Sequence, residues 1–286
     1  MKPADADVAR RGYRVAADIG GTFTDVALVA PDGALRTAKL LSTPDSYGHA
    51  VVAGVQQLLT QAGCAATAID EVLHGCTIAT NAILEHKGAR TALVTTEGFK
   101  DVLELRRIRT PRLYAPLWQK PPPLVPRHLR FEVAERIGAD GAVVRALDES
   151  SLDAVVAALA NAGVEAIAVC LINAFANPAH ELRIGERLRK AFPNCFVTLA
   201  IEVLPQIREY ERTSTVVINA YVGPPVKTYL EAMIAQLAAM GVSGRLLVMQ
   251  SSGGVLSAQA VLEKPAQIIE CGPAAGVIGA AKLGAA

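Results

Sequence analysis

The sequence predicts an α/β fold, on three observations. Its 286 residues are 51% hydrophobic but only 5% aromatic, so the core must be built from Ala, Val, Leu and Ile, which suit buried parallel strands. Short apolar runs alternate with helical segments that end at glycines along much of the chain. Near the start, two apolar runs flank a glycine-rich turn, Val15-Ala16-Ala17-Asp18-Ile19-Gly20-Gly21-Thr22-Phe23-Thr24-Asp25-Val26. A chain of this length predicts about two domains with a sizeable core.

Residues 15–17 form the first strand and 26–30 the second, and Pro31-Asp32-Gly33 turns the chain into a third strand at 34–41. Residues 46–62 place Val51, Val52, Val55, Leu58 and Leu59 at helical spacing and end at Gly63. A strand at 71–74 runs into Gly75, a helix at 77–87 closes at Gly88, and 91–95 is the next strand. This order of three strands, helix, strand, helix and strand reads as one core.

Residues 106–130 break the rhythm with Pro111, Pro116, Pro121, Pro122, Pro123 and Pro126 among Arg106, Arg107, Arg109, Arg112 and Arg127. Proline removes a donor and fixes φ, so this is neither helix nor central strand. With Tyr114 and Trp118 it could suggest nucleic acid, but one basic patch in a near-neutral chain reads better as a loop packed on its own domain. A hairpin follows, 131–137 and 142–145 about Asp140-Gly141. Then come a helix at 152–162 capped by Asp148 or Ser150, a buried strand at 166–172, a helix at 178–191 and a strand at 196–199. Gly223-Pro224-Pro225 is expected to interrupt any helix, with a long one resuming at 226–240. A strand at 245–249 stops at Gln250-Ser251-Ser252-Gly253-Gly254. After a short helix, 267–269 reads as a strand and Gly272-Pro273 opens a small-residue helix.

The glycine-rich turn carries chemistry. Paired glycines let main-chain N–H groups approach an anion that any Cβ would hold off. Thr22 and Thr24 add hydroxyl donors, and Asp18 at a strand end is placed to hold Mg²⁺ through water. Gly20-Gly21 alone could be merely a tight hairpin; Asp-x-Gly-Gly-Thr-x-Thr-Asp between two strands is more specific and favours phosphate. The chain has no G-x-x-x-x-G-K-[ST] and no G-x-G-x-x-G opening a helix, so a hairpin would grip the phosphates. This arrangement resembles the first phosphate loop of the actin, sugar kinase and Hsp70 ATPase superfamily, and DIGGTFTD in particular resembles the hydantoinase A/5-oxoprolinase family.

Four further stretches resemble that family. His74-Gly75-Cys76-Thr77-Ile78-Ala79-Thr80-Asn81 is similar to HGTTxATNA, with Cys76 where threonine is usual. Read locally, the threonines are helix caps and His74 a structural histidine as readily as an anion site at a strand–helix junction. The run from Glu209 through Glu211 and Arg212 to Val222 resembles a family signature, although on a helix its charges could be an ordinary ion pair. Met249–Gly254 resembles MQSNGG with Ser252 in place of asparagine, and Cys271–Val277 resembles SGPAGGV.

The resemblance covers nearly the whole chain and implies a ribonuclease-H-like ATPase fold, with domains at 13–200 and 206–286. It implies ATP and Mg²⁺ as cofactors and ATP-dependent opening of a cyclic amide such as 5-oxoproline or a hydantoin, with ketone carboxylation as a related chemistry. Asp18 would hold Mg²⁺ and water, and Gly20, Gly21, Thr22 and Thr24 the phosphates. His74, Glu211 and Arg212 join Asp18 as catalytic candidates, and Thr77, Asn81, Gln250, Ser251 and Gly253 are substrate-side candidates. The family's second phosphate loop and adenosine segment lie beyond Ala286. The sequence therefore looks like an amino-terminal part that needs a carboxyl-terminal piece or a hydantoinase B-type partner. A sugar-kinase-like phosphotransferase and an inactive scaffold subunit are the alternatives.

The formal net charge of +1 gives no electrostatic reason to expect nucleic acid or a membrane surface. No apolar run reaches the roughly 20 residues of a membrane span. The first dozen residues lack the apolar core of a signal peptide, so the cytoplasm is expected. Five scattered cysteines without a C-x-x-C pair argue against disulfides and zinc; Cys76 and Cys271 lie in motifs, so a nucleophilic role stays open for them.

Overall fold

The structure, a computed structural model, describes residues 12–43, 47–109, 114–115 and 117–285. The polar first residues, the expected helix start at Ser46, and Pro111, Arg112 and Pro116 of the proline-rich stretch lie outside the described residues. In chain order come β1 (Tyr13–Ile19), β2 (Phe23–Val29), β3 (Leu35–Leu41), α1 (Tyr47–Ala62), β4 (Ile69–Cys76) and α2 (Ile78–Leu84). Then follow β5 (Thr91–Thr96), β6 (Arg130–Val133), β7 (Arg136–Ile137), β8 (Val143–Arg145), α3 (Glu149–Ala162), β9 (Ala166–Cys170), α4 (Ala179–Ala191) and β10 (Phe196–Leu199). The chain continues with α5 (Glu209–Ala239), β11 (Arg245–Met249), β12 (Val255–Ser257) and α6 (Cys271–Gly284).

These elements form two compact units, the first from the described residues of 1–84 and 225–286, the second from 85–224. The units do not follow the segments 13–200 and 206–286, since the first takes strands from both.

The first unit holds a six-stranded sheet in the order β12-β11-β4-β1-β2-β3. β1, β2 and β3 are antiparallel neighbours, while β4 and β11 run parallel to β1. This is the ribonuclease-H-like order. Alternation along β1 and β2 sends Val15, Ala17, Ile19, Val26 and Leu28 to one face, where Val51, Val55 and Leu58 of α1 and Met233 and Leu237 of α5 cover them. Each of the Val, Ile, Leu and Met side chains contributes roughly 1.5–3 kcal/mol by leaving water. The opposite face carries Ala16, Asp18, Asp25 and Thr37.

The fifth strand of this core is not the expected one. Residues 91–96 form β5 in the second unit, and β11 takes the place beside β4. Both are short apolar parallel strands, and local pattern does not say which sheet such a strand joins.

The second unit is built on the sheet β10-β9-β5-β6, all parallel. β5 and β9 are buried at every position. α3 and α4 pack on one face through Leu152, Leu159, Ile184 and Leu188. The first half of α5 packs on the other through Val216, Val217 and Ala220. Asp148, not Ser150, caps α3, accepting the Ser150 N–H at 3.0 Å. The expected strand 131–137 is divided: β6 joins the parallel sheet and only β7 pairs with β8 in a hairpin. In the proline-rich stretch Leu124, Val125 and Leu129 pack into the core, and the buried Arg130 bonds to Glu104 and to the Val125 carbonyl. Its described part at 124–130 is thus packed on its own domain.

Gly223-Pro224-Pro225 does not interrupt α5, which is continuous over 31 residues. Two prolines leave two carbonyls one turn earlier without their helical N–H donors. One of them, on Tyr221, accepts the Ala89 N–H at 2.9 Å instead, so a tertiary contact offsets a local penalty. Residues 265–268 form a 3-10 turn rather than a strand. The expected strand at 267–269 gives way to this turn because the Lys264 carbonyl accepts the Gln267 N–H, at 3.1 Å. β12 was not anticipated; three residues are too few to show a period.

Candidate functional site

On the polar-bearing face of the first unit's sheet lies a cavity of about 610 Å³, a size common for small-molecule sites. Its walls include Asp18, Asp25 and Thr37 from the hairpins, Gly75 from β4, and Gly272 and Ala275 from α6. Antiparallel register sets Asp18 opposite Asp25, and Asp25 opposite Lys39. A row of three charged side chains thus crosses three strands. Lys39 Nζ donates to both Asp25 oxygens, at 2.6 and 2.7 Å. Among the described residues no cation pairs with Asp18. Partial burial in the cavity, and secondarily the Asp25 charge, push its carboxyl above the usual range. A carboxylate in that state favours a cation.

Among the described residues no group of three or more His, Cys, Asp or Glu is arranged to hold a metal. That donor set fits a hard cation such as Mg²⁺, which keeps waters and takes one or two carboxylates together with substrate phosphates. It does not fit zinc.

Gly75 lies opposite Asp18 in the parallel register, and a Cβ there would sit 2.9 Å from Asp18 Oδ1. Gly75→Ala should therefore leave the fold intact, because the carboxylate can swing away, yet weaken Mg²⁺–nucleotide binding by about tenfold. Titration calorimetry on the full-length protein checks this, and unchanged affinity would remove Asp18 from the site.

The Gly20-Gly21 hairpin is closed by the Gly20 N–H donating to Phe23 O at 2.9 Å. Ser42 clasps it from β3's end: its N–H donates to Thr22 O at 2.9 Å and its hydroxyl to Gly20 O at 2.7 Å. With the Ser42 proton so used, the Thr24 hydroxyl must donate to Ser42 Oγ, at 3.0 Å. Thr24 is fully buried with its proton used on Ser42, and the Gly20 N–H closes the turn. Gly21 and Thr22 are exposed at the tip and remain as donors. Ser42 has no motif to announce it.

His74 is buried to 1%. Its Nδ1 lies 3.2 Å from the Ala17 carbonyl, which can only accept, so Nδ1 carries the proton. Nε2 then accepts from the Tyr229 hydroxyl at 2.6 Å. Burial holds the Tyr229 hydroxyl protonated, far above its usual pKa, and lowers His74 to about 4 despite the Ala17 bond. His74 is a neutral tie between β1, β4 and α5, with both ring nitrogens engaged.

Thr77 donates to Ile19 O at 3.4 Å and accepts from Asn81 at 3.2 Å; Thr80 bonds to Ile269 O. Thr77 ties the strand–helix junction to β1, and Thr80 ties α2 to the chain just before α6. Ser251 donates to Gln267 O at 2.9 Å and accepts the Glu270 N–H at 3.0 Å. Gln250 contacts Gln267 at 3.4 Å, and Gly253 turns the β11–β12 connection at a φ of +90°, which favours glycine. Of the candidates in this unit, Asp18 and His74 border the cavity.

Glu211 and Arg212 belong to the second unit. Glu211 pairs with Arg107 and is held below the usual carboxylate range by its own main-chain N–H and then by Arg107. Arg212 is buried; Nη1 donates to Leu171 O at 3.1 Å and Nη2 lies 3.7 Å from buried Glu181. Glu181 accepts the Leu171 and Ile201 N–H groups at 2.9 and 2.7 Å. Its carboxyl is pushed up to about 7 by burial, against those bonds and Arg212. The two form a buried ion pair within the second unit.

The model of the hydantoinase/oxoprolinase N-terminal region matches residues 14–192, and that of hydantoinase/oxoprolinase matches 212–286. The chain belongs to the hydantoinase/oxoprolinase family. An uncharacterized protein of Methanocaldococcus jannaschii is 39% identical over 94% of the chain and 40% of its own length. The caprolactamase subunit alpha of Pseudomonas jessenii is 34% identical over 93% of the chain and 39% of its own. A nucleotide-free structure of acetone carboxylase, from work on ATP-dependent acetone carboxylation, matches at a TM-score of 0.86 and 28% identity, over 96% of the chain and 41% of that one. The fold is that of this family's ribonuclease-H-like ATPase region, and the chain spans about two fifths of the length of these relatives.

Proposed function

We propose that this chain carries the phosphate-gripping part of an ATP-dependent enzyme that opens a cyclic amide such as 5-oxoproline or a hydantoin. The observation that carries the reading is the exposed Gly21-Thr22 tip, three residues from an Asp18 that faces a cavity, in a chain of the hydantoinase/oxoprolinase family.

A lactam carbonyl is a poor electrophile because nitrogen donates into it. Phosphorylating its oxygen with ATP gives a leaving group and a carbon that water can attack. Gly21 and Thr22 supply N–H and hydroxyl donors to the phosphates, charge stabilisation that is set before reaction. Asp18 and Asp25 would hold Mg²⁺ through water, and bound Mg²⁺ supplies neutralising charge for the phosphates. His74, neutral and engaged on both nitrogens, keeps β1 and β4 in register beneath them. The caprolactamase relative is a subunit alpha, which supports a further subunit in the working enzyme. A second reading, ATP-dependent carboxylation of a ketone, is favoured by the likeness to acetone carboxylase. No helix among the described residues is long and apolar enough to cross a membrane, and we place the reaction in the cytoplasm.

Gly21→Val tests the reading. A Cβ at Gly21 meets nothing within 4 Å, so the fold should be unaffected while the approach of an anion is blocked. In the full-length protein, calorimetry should find ATP affinity lost at an unchanged melting temperature. Wild-type binding by the variant would sink the assignment. Ring opening of 5-oxoproline or a hydantoin, against bicarbonate-dependent use of a ketone, then separates the two readings.

A further inference from the structure

Cys76 ends β4 and Cys271 begins α6, far apart in sequence and together in the first unit. They are exposed by 1% and 0%. The Cys271 thiol donates to the Cys76 carbonyl at 2.7 Å, and the Cys76 N–H reaches the Cys271 sulphur at 3.4 Å. The Cys271 sulphur thus lies against the Cys76 main chain, and the nearness of the two thiols lowers Cys271 and raises Cys76. Cys271 further sits at the amino end of a 14-residue helix, where the aligned peptide dipoles favour a thiolate. The next residue, Gly272, and Gly75, the residue before Cys76, both line the cavity.

The other three cysteines are differently placed. Cys170 is buried beside Thr213, with its thiol pushed up to about 12 by burial. Cys195 donates to Val164 O at 3.2 Å, and Cys64 is half-buried. A thiol held against the main chain of a second cysteine, and inclined to ionise, is placed to close into a disulfide with it.

We propose that Cys76 and Cys271 are an oxidation site that closes into a reversible intrachain disulfide, fastening the β4–α2 junction to the start of α6 beside the cavity. The oxidant is a peroxide. The Cys271 thiolate attacks one peroxide oxygen; the O–O bond breaks, leaving a sulfenic acid and a hydroxide that takes up the thiol's proton as water. The Cys76 sulphur then attacks the sulfenyl sulphur, the S–S bond forms, and the second oxygen leaves as water with the Cys76 proton. Two thiols give up two electrons and two protons to one peroxide, yielding two waters. A dithiol reductant reverses the step. This site is independent of the substrate proposed above.

The test is hydrogen peroxide titration of the reduced full-length protein, followed by alkylation and peptide mapping without reduction. The expected product is a peptide pair joining Cys76 to Cys271, about 2 Da lighter than the two reduced peptides together, formed before any sulfinic acid and removed by dithiothreitol. Cys271→Ser should lose the cross-link and slow thiol oxidation about tenfold. In Cys76→Ser a sulfenic acid on Cys271 should be trapped by dimedone. The proposal is overturned if Cys64 or Cys195 oxidises first, or if Cys271 proceeds to sulfinic acid while Cys76 stays reduced. Mapping the unsubstituted protein decides this even if a variant fails to fold.

Discussion

Replacing His74 with glutamine should remove an acid-dependent loss of stability worth about 3 kcal/mol. In the folded chain His74 titrates near 4, against 6.5 for the free side chain. Between those values the unfolded chain binds a proton that the native state does not. The His74 contribution is therefore fully present above pH 6.5 and is lost as the pH falls toward 4. Glu181 opposes it: its carboxyl, raised from 4.5 to about 7, makes the native state the better proton binder, so its destabilisation fades on acidification. The wild-type profile sums the two, and the difference between wild type and His74→Gln isolates the first. Urea unfolding of both across this range is the measurement. Parallel profiles would mean that His74 is not held neutral.

Arg212→Met should cost about 3–5 kcal/mol of folding stability, because it leaves Glu181 buried without its cation. The sign of the pH effect follows from Glu181. Once protonated it needs no counter-ion, so the variant's deficit should be smallest below about pH 7, where Glu181 is protonated in both chains, and grow as the pH rises above it. Thermal unfolding on either side of that value reads both effects. A variant as stable as wild type that loses turnover in the full-length enzyme would return Arg212 to the substrate.

Much of the first unit was legible because its signals are local. The Gly20-Gly21 turn, the alternation of β1 and β2, and the turn at Pro31-Asp32-Gly33 specify a hairpin within about twenty residues of chain. What failed was non-local. Nothing in 91–96 or 245–249 says which sheet each strand enters, and nothing near Pro224 reveals that Ala89 will serve the Tyr221 carbonyl. Within the site, Asp18 was legible from its motif. The loss of Thr24 as a donor was not, because it depends on Ser42, brought alongside by the third strand. Tyr229 was invisible for the same reason: its hydroxyl meets His74 across more than half the chain. Residue type announced the chemistry, while partner choice decided which groups were free to perform it.

The pairing of β4 with β11 has a consequence for how the chain acquires its shape. Leu73 sits opposite Leu247, and all of the second unit is encoded between them. Emerging from the ribosome, β1 to β4 and α1 must wait, with one side of β4 unpaired, until the intervening residues have been made. Those residues have their own parallel sheet and can condense meanwhile. Closing a loop of that length costs chain entropy that grows only as the logarithm of length, and less once the intervening segment is compact. The hairpin end of the sheet should thus be ordered early and the β11 side last, an order that pulsed hydrogen exchange during refolding would display as late protection of Leu247 and Val248.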